Sequence, residues 1–188
     1  MKKEKHIEYY PNGKKRIEGT SYDRVKGGIW TKWYKNGMKK EEVTFKDGKE
    51  NGKWTEWYKN GMKKEEGTFK DGKENGKFIK WYNEGQKWME GTFKDGLKDG
   101  KYTIWFKNEQ MKCEWIFKNG KKDGKWIKWY NDGKKKEEGT YKDGDKHGKW
   151  KSWFSDGHKE LEDDYWNGKQ IGFGKRYFPG GKKLYEVY

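Results

Sequence analysis

The chain has 188 residues and a formal net charge of +15, with 41% charged and 29% hydrophobic residues. This balance is typical of disorder, yet aromatic residues make up 19% of the chain and recur at regular spacing. Because each aromatic side chain buries a large area, the composition indicates a thin folded protein without a thick aliphatic core. The single cysteine, Cys113, excludes an internal disulfide framework and a multi-cysteine metal site.

The dominant pattern is a repeat with a period of 24 residues, marked by glycines from Gly28 to Gly172. A Trp, Phe or Tyr stands two residues after most of these glycines. A fixed period of this size predicts a repeat array. The copies begin near residues 4, 28, 52, 76, 100, 124, 148 and 172. We therefore expect residues 1–188 to form a single array without a linker or a second domain.

Each copy contains two short stretches of aromatic and β-branched residues separated by turn dipeptides. In the copy that begins at residue 52, Asn60-Gly61 predicts a two-residue type I′ hairpin turn. Asp71-Gly72 then opens a slightly longer link to the next copy. The expected fold class is all-β, with tandem 24-residue β-hairpin repeats in an elongated single-layer antiparallel sheet, or open solenoid.

This turn would also set the pairing of residues across the hairpin. It places Trp54 opposite Gly67, so that the ring covers the bare backbone of a strand glycine. It places Trp57 on the other side of the sheet, opposite Lys64, where a cation–π contact is expected.

The copy that begins at residue 100 departs from this pattern. Its turn reads Asn108-Glu109 in place of Asn-Gly, and Trp115 replaces the strand glycine. We expect a local bend or an altered turn there. In the same register Cys113 pairs with Ile104, which favours a small buried hydrophobic residue over a nucleophile.

A row of tryptophans recurs five residues after the glycines, and it is the candidate interaction face. Its members are Trp33, Trp57, Trp81, Trp105, Trp129 and Trp153. The row has two interpretations. It is either a set of structural ribs within the sheet or, if exposed, a platform for a partner.

Nothing in the sequence indicates an active site, a cofactor or a metal. The histidines, His6, His147 and His158, stand at different phases of the repeat and have no metal-ligand spacing. The acidic cluster at residues 160–164 reads as a solvated face rather than a cation site. No phosphate-binding loop, dinucleotide fingerprint or hydrolase motif is present. We therefore expect no enzymatic activity.

The pattern G-K-W-x-x-W-Y-x-N-G-x-x-K-E-E-G-T-F-K-D-G-K-x-x-G resembles the bacterial variant of the MORN repeat across essentially the whole chain. Repeats of this type occur in proteins described as YwqK-type antitoxins of toxin–antitoxin or immunity systems. The resemblance implies an extended sheet of β-hairpins and a role in protein–protein interaction, membrane-lipid association or immunity against a toxin. The net charge of +15 argues against a basic nuclease as the target.

The leading functional expectation is a scaffold that binds a protein partner, such as a toxin. The alternative is an anion-binding module for nucleic acid or an acidic membrane surface, and a structural spacer comes third. The sequence has no transmembrane segment and no signal peptide, which favours a cytoplasmic protein, or an exported one if a signal was removed. The oligomeric state is left open.

Overall fold

The computed structural model describes the backbone of residues 2–187 and the side chains of residues 2–184. Contacts divide the chain into two compact units, Met1–Leu97 and Lys98–Tyr188. Every helix or strand within residues 2–187 is a β-strand. The first unit contains β1 (Lys3–Tyr9), β2 (Lys15–Tyr22), β3 (Val25–Trp33), β4 (Lys39–Lys46), β5 (Lys49–Trp57), β6 (Lys63–Lys70), β7 (Lys73–Glu74), β8 (Gly76–Trp81) and β9 (Lys87–Lys94).

After β10 (Leu97–Lys98), the second unit continues with further strands. These are β11 (Gly100–Trp105), β12 (Met111–Lys118), β13 (Lys121–Trp129), β14 (Lys135–Lys142), β15 (Asp145–Trp153), β16 (Lys159–Trp166), β17 (Lys169–Tyr177) and β18 (Lys183–Val187). Within each unit, strands that follow one another in the chain pair antiparallel. The all-β class and the tandem hairpins are therefore confirmed in each unit, and the single domain from 1 to 188 stays a prediction.

The Asn-Gly turns are not the two-residue type I′ turns that we expected. The Tyr58 amide donates to the Met62 carbonyl at 2.8 Å, and the Gly61 amide donates to the Tyr58 carbonyl at 2.9 Å. Gly61 has a φ of 86°, while Asn60 has no positive φ. The loop thus has three residues and ends on a left-handed glycine. The Asn60 Oδ1 accepts a hydrogen bond from the Met62 amide, which holds this geometry.

The type I′ turns lie instead at the links between copies. Asp71 and Gly72 have φ values of 51° and 81°, and Lys70 pairs directly with Lys73 across them. Two positive φ angles in a two-residue loop define a type I′ turn. The predicted longer link is therefore wrong. The two-residue type I′ turns lie at the Asp-Gly links, and the longer loops lie at the Asn-Gly turns.

A bulge near each three-residue turn changes the end of the predicted register. Trp54 pairs with Gly67 and Glu56 with Glu65, but the register then shifts, so that Trp57 pairs with Lys63. The predicted pairing of Trp57 with Lys64 is wrong for this reason. A bulge adds one residue to one strand. The sequence of a single hairpin contains no pattern from which we predicted it.

The copy that begins at residue 100 keeps the common turn. The Phe106 amide donates to the Gln110 carbonyl at 2.9 Å, and the Glu109 amide donates to the Phe106 carbonyl at 3.0 Å. Glu109 itself adopts the left-handed conformation, with a φ of 64°. The predicted alteration of this turn is wrong. The hydrogen bonds of the turn outweigh the steric cost of a side chain at positive φ, which is about 1–2 kcal/mol. The predicted pair of Cys113 with Ile104 is confirmed.

The core of each unit is a row of stacked rings on one side of the sheet, which we call the aromatic face. Trp54 stacks on Phe78 with centroids 5.6 Å apart, and Trp126 lies 5.3 Å from Trp150. Rings from the returning strands, such as Tyr141, meet these edge to face at 5.0 Å. Such geometries are the favourable ones for aromatic pairs. The aromatic face therefore joins each hairpin to the next.

The strand glycines make this stacking possible. A Cβ added to Gly139 would lie 2.3 Å from the Trp150 ring, and one added to Gly67 would lie 2.1 Å from Phe78. The covering ring thus comes from the next copy, in addition to the ring that we placed opposite the glycine. Each glycine is a contact surface for a neighbouring hairpin.

At the end of the second unit, a carboxylate stands at the glycine position and a glycine stands at the ring position. Asp163 occupies the glycine position, is 3% exposed and accepts a hydrogen bond from Arg176 Nη1 at 2.6 Å. Gly174 takes the place of the ring and leaves room for this carboxylate. A buried ion pair therefore replaces the ring-on-glycine contact in this copy.

We expect Glu109→Gly to stabilise the second unit by about 1 kcal/mol, because glycine adopts positive φ without the clash of a Cβ. Urea unfolding followed by circular dichroism would measure the shift in midpoint. Lys59→Gly, at a turn position without positive φ, is the control and should lower the midpoint. Equal shifts for the two variants would contradict the assignment of strain to Glu109.

We expect Gly139→Ala to destabilise the second unit by about 1–3 kcal/mol, because the new methyl group overlaps the Trp150 ring. Thr140→Ala, an exposed change at the next residue, should cost less than about 0.5 kcal/mol. Thermal unfolding of the two variants would compare them. A Gly139→Ala protein as stable as the wild type would show that the ring does not need the glycine.

Candidate protein-interaction face

In each unit, the tryptophans of the row lie on the side of the sheet opposite the aromatic face, and we call this side the tryptophan face. Trp30 belongs to the aromatic face, so strand alternation places Ile29, Thr31 and Trp33 on the tryptophan face. The first unit contributes Trp33, Trp57 and Trp81 to the row, and the second contributes Trp105, Trp129 and Trp153. All of them are half-buried and stand at the ends of their strands.

Lysines from the preceding copy cover these rings. The Lys39 Nζ lies 5.6 Å from the Trp57 ring centroid, and the Lys63 Nζ lies 5.6 Å from that of Trp81. The same contact joins Lys15 to Trp33 at 5.7 Å and Lys135 to Trp153 at 5.3 Å. The expected cation–π contact therefore exists, but its lysine comes from another hairpin than the one we predicted.

The covering lysines also form ion pairs with a glutamate three residues later in the same strand. Lys63 contacts Glu66 at 2.6 Å, and Lys159, which lies over the ring of Tyr177 at the equivalent position, contacts Glu162 at 2.8 Å. The bond from Lys159 is the main reason why the pKa of the Glu162 carboxyl lies below its ordinary value. The glutamate and the tryptophan thus fix the lysine between them. Sequence reasoning missed this role, although Lys-x-x-Glu recurs with the repeat.

The backbone carbonyls of Trp33, Trp57, Trp81 and Trp153 are held by a tyrosine at the turn of the preceding copy. The Tyr34 hydroxyl donates to the Trp57 carbonyl oxygen at 2.7 Å, and Asn36 Nδ2 donates to the Lys59 carbonyl oxygen at 2.9 Å. The Tyr58 hydroxyl makes the same bond to the Trp81 carbonyl at 2.8 Å. These bonds fix the spacing of neighbouring tryptophans along one edge of the sheet.

Large apolar side chains are exposed on the tryptophan face between these polar contacts. Ile29 and Phe173 are each 59% exposed. They occupy equivalent positions in the repeat, where the copies between them have lysine, such as Lys53 and Lys125. A partner that covered these side chains would remove their apolar surface from water, which is favourable.

The surroundings of the tryptophan row are different at Trp129, which lacks a covering lysine among the described residues. Met111 stands where the preceding hairpin would supply a lysine, and it is 42% exposed. Within residues 2–187, no lysine is placed over the Trp129 ring. Ile116, 39% exposed, lies on the same face. This part of the second unit is therefore more apolar than its equivalents.

Two of the histidines, the cysteine and the acidic cluster singled out in the sequence have surroundings that fit a role in the fold. His6 stacks on Trp30 with centroids 5.5 Å apart, and His147 lies 4.6 Å from the Trp166 ring. Burial raises the pKa of the Cys113 thiol, which disfavours the reactive thiolate. In the acidic cluster, Asp163 is buried against Arg176 rather than solvated. Among the described residues, no group of three or more His, Cys, Asp or Glu could hold a metal ion.

Together, the hairpins and their stacking define a tandem β-hairpin repeat scaffold. The family profile of the MORN repeat variant matches residues 5–23, 26–47, 50–71, 74–95, 122–143 and 146–167. The chain therefore belongs to the MORN repeat variant family. The unmatched stretch between residues 95 and 122 contains the copy with Glu109 and Trp115. A comparison with curated proteins found no matching relative. Residues 2–187 contain no helix with the length and apolarity needed to cross a bilayer.

We expect Lys63→Gln to lower the stability of the first unit by about 0.5–1 kcal/mol, because it removes the cation over Trp81 and the ion pair with Glu66. Lys70→Gln, at an exposed position of the same strand, is the control and should have little effect. Urea midpoints at low and high salt would measure both, and the difference should shrink as salt screens the charges. Equal losses for the two variants would contradict the role of Lys63.

Proposed function

We propose that this protein is a non-enzymatic scaffold that binds a protein partner through its tryptophan face. The observation that carries this proposal is the exposure of large apolar side chains on that face, with Ile29 and Phe173 each 59% exposed. An exposed isoleucine or phenylalanine gains about 1.5–3 kcal/mol when a partner covers it. The aromatic face is less suited, because its rings already pack on one another and its most central ones, Phe78, Tyr102 and Trp150, are at most 3% exposed.

The arrangement of the tryptophan row further supports a binding surface. Cation–π contacts with ion-paired lysines and backbone hydrogen bonds hold four of its rings in place before any partner arrives, namely Trp33, Trp57, Trp81 and Trp153. A surface that is ordered in advance loses less conformational entropy on binding. Half-buried tryptophans with charged rims also resemble the composition of protein interfaces. An immunity protein that neutralises a toxin is one specific form of this function.

The experiment compares matched surface variants in a capture assay. The tagged protein would be incubated with nuclease-treated native lysate and washed at low and high salt. Ile29→Ser/Phe173→Ser removes apolar groups from the tryptophan face. Met38→Ser/Phe178→Ser removes groups of similar exposure, 48% and 50%, at the turns.

We expect one stoichiometric protein to remain at high salt on the wild type and on the turn variant, and at least about tenfold less on the tryptophan-face variant. Loss of every bound protein at high salt would refute the proposal. Equal retention by both variants would show that the partner binds another surface.

A further inference from the structure

A basic concavity lies on the tryptophan face of the second unit. Its volume is about 340 Å³, and it is lined by Lys125, Glu138, Gly139, Thr140, Lys149 and Lys151. The register between β14 and β15 shifts between Glu138 and Thr140, so Gly139 has no direct partner in β15. The floor of the concavity lies at this bulge, between two neighbouring hairpins. The lysines of both hairpins surround that floor.

The face itself shows how its lysines bind carboxylates. In several copies, the lysine that follows the first glycine position contacts a glutamate of its own hairpin. Lys5 contacts Glu18 at 2.9 Å, and Lys77 contacts Glu90 at 2.8 Å. Lys101 makes the same contact with Glu114, at 2.7 Å. An ammonium at this position therefore has a preferred carboxylate partner.

The lysines of the concavity lack such a partner. Within residues 2–184, Lys125, Lys149 and Lys151 form no ion pair. Glu138, which lines the concavity, contacts Lys135 at 2.7 Å and none of these three lysines. The next glutamate in the repeat, Glu162, is bound by Lys159.

The remaining acidic neighbour does not neutralise the cluster. Asp164 lies across from Lys149 in the register of β15 and β16, but it is exposed and makes no ion pair within residues 2–184. Positive charge is therefore in excess around the concavity. Such an excess attracts acidic groups and repels basic ones.

The first unit contains an equivalent concavity with different chemistry. Lys53, Glu66, Gly67, Thr68, Lys77 and Ile79 line it, and its volume is about 180 Å³. Ile79 replaces Lys151, and Lys77 is already paired with Glu90. The concavity of the first unit is therefore smaller and has fewer lysines without an ion pair than that of the second unit. This site is a matched control within the chain.

An apolar side chain lies beside the basic concavity. Ile116 is 39% exposed, and its Cδ1 atom would lie 3.2 Å from a Cβ on Gly124, the residue before Lys125. Other copies have threonine here, as at Thr68 and Thr140. The combination of unpaired ammonium groups with an exposed isoleucine suits a segment that carries both carboxylates and an apolar anchor.

We propose that this concavity binds an acidic segment of a protein partner, whose Asp or Glu carboxylates pair with Lys125, Lys149 and Lys151. This inference rests on the proposed scaffold function and adds the chemistry of the partner. The carboxylates of the partner make the kind of contact with these lysines that Glu18, Glu90 and Glu114 make with the equivalent lysines of other copies. The partner's apolar anchor lies on Ile116.

The test measures binding of a short fluorescein-labelled peptide of alternating glutamate and leucine to the full chain by fluorescence anisotropy. Lys125→Gln/Lys149→Gln neutralises the concavity. Lys53→Gln/Lys77→Gln removes the same charge at the equivalent site of the first unit. Both changes lie at exposed lysines, and circular dichroism would verify that each variant folds.

We expect Lys125→Gln/Lys149→Gln to weaken peptide binding about fivefold to tenfold, since each lost ion pair is worth up to about a factor of five at an exposed site. The control should change the affinity less than about twofold. Equal weakening by both variants would mean a general charge effect and would overturn the proposal. An absence of peptide binding by the wild type would also overturn it.

Phosphatidylserine vesicles and a single-stranded oligonucleotide serve as competitors. If either binds with the same lysine dependence while the peptide does not, the ligand is a phosphate polyanion and the proposal is wrong. A captured partner that is lost from Ile29→Ser/Phe173→Ser but retained by Lys125→Gln/Lys149→Gln would refute this inference alone. The scaffold function would then stand without it.

Discussion

The contact between an aromatic ring and the strand glycine of the preceding hairpin supports the rest of this structure. Trp150 lies against Gly139 and Phe78 against Gly67, so closely that a methyl group would overlap the ring. An isolated hairpin has the glycine and the ring opposite it, but not the ring of the next copy that packs on the glycine. Stability therefore depends on neighbouring copies, as is usual for repeat arrays. This explains how a chain with only 29% hydrophobic residues folds, because each ring is buried by a neighbour rather than by a thick core.

The aromatic face stabilises each unit through its stacked rings, whereas residues on the tryptophan face differ between copies. On the aromatic face, one change involves a matched set, in which Asp163, Arg176 and Gly174 together replace the usual ring and glycine. On the tryptophan face, single residues change without a matching change nearby. Ile29 stands where Lys53 and Lys125 stand in other copies, and the neighbouring Trp30 still contacts Phe45 edge to face at 6.4 Å. A scaffold of this kind alters its binding chemistry at low cost to its fold.

The tryptophan face also shows that one residue serves several contacts at once. Lys63 binds Glu66 in its own strand and covers Trp81 in the next copy. Each contact is weak at an exposed site, but the two share one ordered side chain. Where the partner is missing, as for Lys125 and Lys149, the cation is available to another molecule. The proposed acidic partner follows from this difference between copies.

The sequence alone determined the repeat period, the all-β class, the hairpins and the pairing of Trp54 with Gly67, because these depend on local spacing and turn dipeptides. It also identified the family through the recurring Gly, Trp and Asn-Gly positions.

Only the tertiary structure decided which turn is type I′, which lysine covers each tryptophan and which hairpin supplies the ring on each glycine. The physical reason is that these features depend on contacts between adjacent copies. Examples are the hydrogen bond from Asn36 to the Lys59 carbonyl and the cation–π contact of Lys39 with Trp57. Their partners depend on how neighbouring hairpins are offset, and the bulges that set this offset leave no signal within one copy.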